Sequence, residues 1–115
     1  ALRTIVTERY GYDLTPTCDE IRRTNTFDET CQVTVPQAII CFLESTDFEH
    51  ALRLAVSIGG DSDTIAAITG SLAEAHYGIP TALARQVIAH LPSEMSHLVI
   101  DFIANRPLPL HPNFS

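Results

Sequence analysis

The run GGDSDTIAAITGSLAEAHYG, residues 59–78, does most to decide the fold. Its two leading glycines allow the backbone to turn sharply. The apolar stretch Ile65-Ala66-Ala67-Ile68 that follows favours a buried helix. We predict a helix over residues 62–77, closed by Gly78. Small side chains recur along it and would let neighbouring helices approach closely: Ala66, Ala67, Gly70, Ala73 and Ala75.

Capping residues and prolines divide the rest of the chain into six further predicted helices. We expect them over residues 2–9, 17–24, 34–45, 48–58, 81–90 and 93–105. Thr17, Thr34 and Asp47 are the predicted caps, and Gly11 ends the first helix. Residues 25–33 are predicted to be irregular, as is the proline-rich tail, residues 106–115. No segment has a strand pattern, so we predict an all-α, antiparallel helical bundle forming one segment over residues 1–115.

Composition and net charge limit the classes of function that the protein can have. The formal net charge is -7, with 45% hydrophobic and 18% charged residues. That charge argues against a general nucleic-acid or anionic-membrane surface. No apolar run approaches the roughly 20 residues that span a bilayer, and no secretory signal is visible. The three cysteines, an odd number without metal-ligand spacing, indicate reduced thiols. We therefore expect a cytoplasmic protein.

Three oxygen-bearing residues, Asp61, Asp63 and Thr64, lie at the start of the predicted helix 62–77. Carboxylate and hydroxyl oxygens gathered on one turn are typical ligands of Mg²⁺, Mn²⁺ or Ca²⁺. The same residues also suit a plain helix start, because Asp61 can cap and Asp63 favours the positive end of the helix dipole. A glycine-rich anion site that uses backbone N–H groups is a third interpretation. Spacing alone leaves these alternatives open.

Residues 59–68 (GGDSDTIAAI), followed by Gly70 and by AHYGIP at 75–80, resemble the C-terminal signature of the ADP-ribosylglycohydrolase family. Upstream segments resemble the bacterial branch of that family and occur in the same order. They are YGYDL at 10–14, DEIR at 19–22, CQ at 31–32, VPQAI at 35–39 and FLES at 42–45. The resemblance covers residues 10–80, and its GGDSDT run is the most specific part.

The resemblance implies an all-α hydrolase that cleaves the bond between ADP-ribose and an acceptor, using two divalent cations, usually Mg²⁺ and alternatively Mn²⁺. It implies that Asp61, Asp63 and Thr64 are metal ligands, with Asp63 bridging both ions. The substrate-binding residues that it implies are Gly59 and Gly60, and also Gln32, Val33 and Thr34. Val33 departs from the family pattern, in which bacterial relatives have a small residue such as glycine.

The resemblance also implies a larger all-helical fold than residues 1–115 provide. Family members are longer, and their remaining metal ligands and catalytic acidic residue come from an N-terminal part. The chain begins at Ala1 with a helical pattern, so we interpret it as the C-terminal half of a two-metal site, inactive alone. Expected partners are ADP-ribose or an ADP-ribosylated substrate, and the missing N-terminal segment. A non-catalytic binding or structural relative, and an unrelated Mg²⁺ or Ca²⁺ module, are the alternatives.

Overall fold

The computed structural model describes residues 1–105, which form seven helices and, within that range, no strand. The all-α prediction is therefore confirmed, while the predicted irregular tail, residues 106–115, lies outside the described residues. The helices are α1 (Leu2–Tyr10), α2 (Cys18–Thr24), α3 (Cys31–Glu44), α4 (Phe48–Ser57), α5 (Ser62–Tyr77), α6 (Thr81–His90) and α7 (Ser93–Asn105). The bounds predicted for the last three helices agree with these.

Helices α3, α4 and α5 pack against one another and form the centre of the fold. Ile65 of α5 is fully buried, as is Ile58 between α4 and α5. The expected close approach along α5 is seen at Gly70, where an added Cβ would lie 3.2 Å from Leu52 Cδ2. The buried hydroxyl of Thr69 donates to the Ala38 carbonyl at 2.9 Å, which ties α5 to α3. This packing fixes the N-terminus of α5 in place.

The start of α3 differs from the prediction. Residues 31–33 are helical rather than irregular, and the N-cap residue is Thr30 rather than Thr34. Asp28 Oδ1 accepts the Thr30 N–H at 2.8 Å and shapes the entry to the helix. Pro36, which we placed in the first turn, is inside the helix. Pro36 has no N–H to donate to the carbonyl four residues earlier, that of Gln32, and Gln32 is exposed to solvent.

Helix α2 is held against α3 from both of its ends. At its start, Thr17 accepts the Glu20 N–H at 3.1 Å, as predicted for a capping residue. The Cys18 N–H donates to Glu44 Oε2 in the last turn of α3 at 2.6 Å. Two of the backbone N–H groups that lack a partner at the start of α2 are thereby satisfied, one by Thr17 and one by Glu44 of α3. Asn25 forms its C-terminal boundary.

Helices α6 and α7 differ from the others because they contain no fully buried residue. Leu83 of α6 is half-buried against the Phe48 and Ala73 side chains. Helix α7 packs on α6 and leaves large apolar side chains exposed: Met95, Leu98, Val99, Ile100, Phe102 and Ile103. Among the described residues, none of the helices has the length and apolar character needed to cross a bilayer.

Candidate metal centre

The candidate centre is built on a tight turn between α4 and α5. Two consecutive glycines, Gly59 and Gly60, have φ values of +83° and +75°. L side chains rarely adopt this left-handed region, so glycine is needed at both positions. The Ser62 N–H then donates to the Gly60 carbonyl at 2.9 Å and closes the turn. Because Ile58 before it and Ile65 after it are both buried, the turn is anchored on either side.

Asp61 is the N-cap residue of α5, but its side chain makes no capping hydrogen bond. Asp47 at the start of α4 does cap, accepting the His50 N–H at 2.7 Å. The difference follows from the backbone. Asp47 is extended (φ −157°, ψ 178°), whereas Asp61 lies at φ −80°, ψ 74°, outside the β region typical of capping residues. The Asp61 carboxylate therefore accepts no backbone N–H of α5, although the Thr64 hydroxyl lies within its reach.

The side chains of Asp61, Asp63 and Thr64 are close enough to affect one another. The neighbouring Asp63 carboxyl raises the pKa of Asp61, while the Thr64 hydroxyl acts in the opposite direction. The pKa of Asp63 is lowered, first by Asp61 and then by the Thr64 N–H, which donates to Asp63 Oδ1 at 2.9 Å. The opposite shifts are those of a carboxyl pair that shares a hydrogen bond, and two carboxyl groups this close are an arrangement that a cation would stabilise in the ionised form.

These three residues suit a divalent cation but do not complete its coordination. Asp63 and Thr64 are exposed and Asp61 is half-buried, so their oxygen atoms can be reached from solvent. Within residues 1–105, no cluster of three or more His, Cys, Asp or Glu side chains could hold a metal on its own. Mg²⁺ takes octahedral oxygen coordination. The remaining ligands would have to be water, substrate or residues from elsewhere in the protein.

The other predicted site residues lie at the start of α3, and the structure gives them different surroundings. Thr34 is buried, and its hydroxyl donates to the Thr30 carbonyl at 2.9 Å. Gln32 is exposed and Val33 half-buried. Both line a surface groove of about 440 Å³. A second groove of about 510 Å³ adjoins it, and Val33 and Gln37 line both grooves.

Sequence reasoning missed Asn25, which contacts the glycine turn. Its Nδ2 donates to the Ile58 carbonyl at 3.1 Å, and its Oδ1 accepts from Gln37 Nε2 at 3.3 Å. The predicted irregular segment 25–33 gave no reason to single out this residue. Its partners are 33 and 12 residues away in the chain, so no local pattern could have revealed them.

With this geometry in view, the chain can be compared with known proteins. The family model described as ADP-ribosylglycohydrolase matches residues 4–108. Proteins named ADP-ribosylhydrolase ARH3 from Homo sapiens, Bos taurus and Mus musculus are each 38% identical over 56 residues. The match covers 39% of this chain and 15% of each relative, so the chain spans a small part of their length. No solved structure matches the chain.

Proposed function

This chain belongs to the ADP-ribosylglycohydrolase family, and we propose that the full protein uses divalent cations to hydrolyse ADP-ribosyl linkages. The chain contributes the Asp61, Asp63 and Thr64 side of a two-metal site. Water is the second substrate, and the products are ADP-ribose and the released acceptor. Family membership and the similarity to ADP-ribosylhydrolase ARH3 support the reaction class. The metal requirement is our inference from the turn.

The observation that carries this proposal is that the Asp61 carboxylate caps no backbone N–H group of α5. An aspartate at a helix N-cap ordinarily accepts a backbone N–H of the first turn, as Asp47 does. Asp61 has the capping position without the backbone capping bond, and its side-chain neighbours are the Asp63 carboxyl and the Thr64 hydroxyl. Two carboxyl groups and a hydroxyl gathered at a solvent-accessible helix start suit a cation well.

The residues of the candidate centre have different proposed roles. Asp61, Asp63 and Thr64 would hold Mg²⁺ or Mn²⁺ through their oxygen atoms. Bound cations supply Lewis-acid polarisation of substrate oxygens and lower the pKa of a water molecule. Gly59 and Gly60 bring the backbone close to the site without side chains that would obstruct a ligand. Gln32 and Val33 of α3 are proposed to border the ADP-ribose site, and Thr34, which is buried and bonded to the Thr30 carbonyl, would support them rather than contact the ligand.

The rest of the site is assigned to other parts of the protein. Mg²⁺ needs more oxygen ligands than this turn offers, and among residues 1–105 no second acidic cluster supplies them. We propose that the remaining ligands and the catalytic acidic residue come from a segment outside this sequence. The isolated chain would then bind cations weakly and lack hydrolase activity.

The decisive experiment replaces Asp63 with Asn in the full-length protein and measures release of ADP-ribose from an ADP-ribosylated substrate in the presence of Mg²⁺. A Glu94→Gln variant is the matched control, since Glu94 is also an acidic residue in the first turn of a helix. We expect Asp63→Asn to lose at least about a hundredfold in rate, as expected when a metal ligand is removed, and the control to retain activity. Equal activity of both variants would refute the assignment.

Calorimetric titration of the same proteins with Mg²⁺, with and without ADP-ribose, separates an enzyme from a non-catalytic relative. Binding of both ligands together with hydrolysis supports the enzyme. Binding without hydrolysis by the wild-type protein would favour a binding or structural role on the same scaffold, because fold alone does not determine function.

A further inference from the structure

We propose that Asn25 is the positioning residue of the metal-binding turn, an inference that rests on the function proposed above. Asn25 holds the two glycines in the conformation that presents Asp61 and Asp63 to the cations. It acts through the backbone of the turn rather than by contact with metal or substrate.

The Asn25 side chain connects three helices at the point where the turn begins. It stands at the C-terminal boundary of α2. Its Nδ2 donates to the carbonyl of Ile58, the C-cap residue of α4, at 3.1 Å. Its Oδ1 accepts from Gln37 Nε2 on α3 at 3.3 Å. Both polar ends of one short side chain are thus used, and the Ile58 carbonyl, which can only accept, fixes Nδ2 as the end that faces the turn.

The same side chain lies directly against the two glycines. A Cβ added to Gly60 would be 3.1 Å from Asn25 Nδ2, and one added to Gly59 would be 3.9 Å away. The first distance is tighter than ordinary van der Waals contact, so Asn25 occupies the space that a side chain at position 60 would need. Gly60 is required by its positive φ, and a side chain there would in addition displace the Asn25 amide by a few tenths of an ångström.

The contacts of Asn25 limit the conformational freedom of Gly59 and Gly60. Glycine samples left- and right-handed conformations about equally, so two in succession would let Asp61 and Asp63 point in many directions. The carbonyl of Ile58 is also one of the last-turn acceptors that lack a partner inside α4. By donating to it, Asn25 satisfies that acceptor and fixes the start of the turn. Ligands that are held in place before the metal arrives bind it more tightly.

The test compares Asn25→Ala with Thr17→Ala in the full-length protein. Thr17 caps the opposite end of α2, so both variants weaken the same helix while only one touches the turn. Mg²⁺ affinity is measured by calorimetry, and stability by the urea midpoint. We expect Asn25→Ala to weaken Mg²⁺ binding by about tenfold or more, as is usual when a residue supporting a metal ligand is removed. Thr17→Ala should lower the midpoint similarly and leave Mg²⁺ affinity within about twofold.

Gln37→Ala provides a milder version, because it removes only the hydrogen bond to Asn25 Oδ1. We expect a smaller loss of Mg²⁺ affinity in the same direction. Equal Mg²⁺ affinities for Asn25→Ala and Thr17→Ala, with a wild-type protein that does bind Mg²⁺, would overturn the positioning role alone. A wild-type protein that neither binds Mg²⁺ nor hydrolyses the substrate would overturn the proposed function, and this inference with it.

A double-mutant cycle tests the Asn25–Gly60 contact without metal. Gly60→Ala is expected to lower the urea midpoint strongly in the wild-type background and less strongly when Asn25 is already Ala, because the obstructing Nδ2 is gone. Non-additivity of this sign supports the contact. Additive effects would show that Asn25 does not constrain the turn and would overturn the inference.

Discussion

The sulfur atoms of Cys18 and Cys41 lie 3.8 Å apart in the buried contact between α2 and α3. Both thiols are free and buried, whereas Cys31 is free and exposed. The contact with Cys41 raises the pKa of Cys18 well above its ordinary value, and burial raises it further. The two buried thiols therefore behave as small apolar groups that join the helices.

Thiol reactivity should divide the three cysteines accordingly. In the native protein at about pH 8, iodoacetamide should label Cys31 at least about tenfold faster than Cys18 or Cys41, because the thiolate is the reactive form and needs access to solvent. Peptide mass spectrometry after a time course measures the rates. Urea should make all three cysteines reactive, and Cys31→Ser should abolish the fast labelling. Labelling of Cys18 as fast as that of Cys31 would contradict the packing of α2 against α3.

Alanine at Gly60 should destabilise the protein more than alanine at Gly11. Both glycines have similar positive φ values, +75° and +68°, so both substitutions incur about 1–2 kcal/mol of backbone strain. An added Cβ at Gly11 meets open space, whereas at Gly60 it meets Asn25 Nδ2 at 3.1 Å. Urea unfolding of the two variants measures the difference. Identical midpoints would show that Asn25 moves away freely.

Two aspartates at helix N-caps should respond differently to alanine. Asp47→Ala removes the acceptor of the His50 N–H and should cost about 1 kcal/mol of unfolding free energy. Asp61→Ala removes no backbone capping bond, only side-chain contacts with Asp63 and Thr64, so without metal the midpoint should fall less than it does in Asp47→Ala. Saturating Mg²⁺ should then stabilise the wild-type protein but not Asp61→Ala. A large loss of stability in metal-free Asp61→Ala would mean that the carboxylate serves the fold.

Acid should remove a contribution of Asp28 to stability. The Thr30 N–H, which donates to the Asp28 carboxylate, holds the pKa of Asp28 below its ordinary value. A group whose folded pKa is depressed stabilises the protein above its unfolded pKa of about 3.9, and this effect is lost as the pH falls through the folded value. The stability difference between wild type and Asp28→Asn should therefore be present at about pH 7 and shrink below about pH 4.

Urea midpoints measured across this range test the expectation. Asp101→Asn serves as a charge-matched control on exposed α7. A difference between wild type and Asp28→Asn that stays constant with pH would contradict the role of the carboxylate at the entry to α3.

The helices could be predicted from sequence because their boundaries depend on neighbouring residues. Gly11 and Gly78 end helices, and Thr17 and Asp47 cap them, through contacts within a few positions. The predicted start of α3 was wrong because a proline favours the first turn of a helix. Pro36 lies deeper in the helix, where the residue four positions earlier, Gln32, is exposed to solvent.

The candidate site was only partly predictable, for a physical reason. The spacing of Asp61, Asp63 and Thr64 indicated hard-metal ligands, but could not separate them from a capped helix. The distinction depends on the backbone angles of Asp61. These angles follow from the conformation of Gly59 and Gly60, which Asn25 holds by donating to the Ile58 carbonyl, 33 residues later in the chain. Such long-range contacts leave no periodic trace in a single sequence.

The absence of fully buried residues in α6 and α7 has a consequence for how this chain opens. Few buried contacts hold these two helices to α3, α4 and α5, so they can unfold locally while the centre of the fold stays intact. In deuterated water, the amide hydrogens of α6 and α7 should exchange long before those of α5. Segments with low opening free energies are also those that change most when a neighbouring surface covers them, so exchange in α7 would be a sensitive probe of any surface that packs against its exposed apolar side chains.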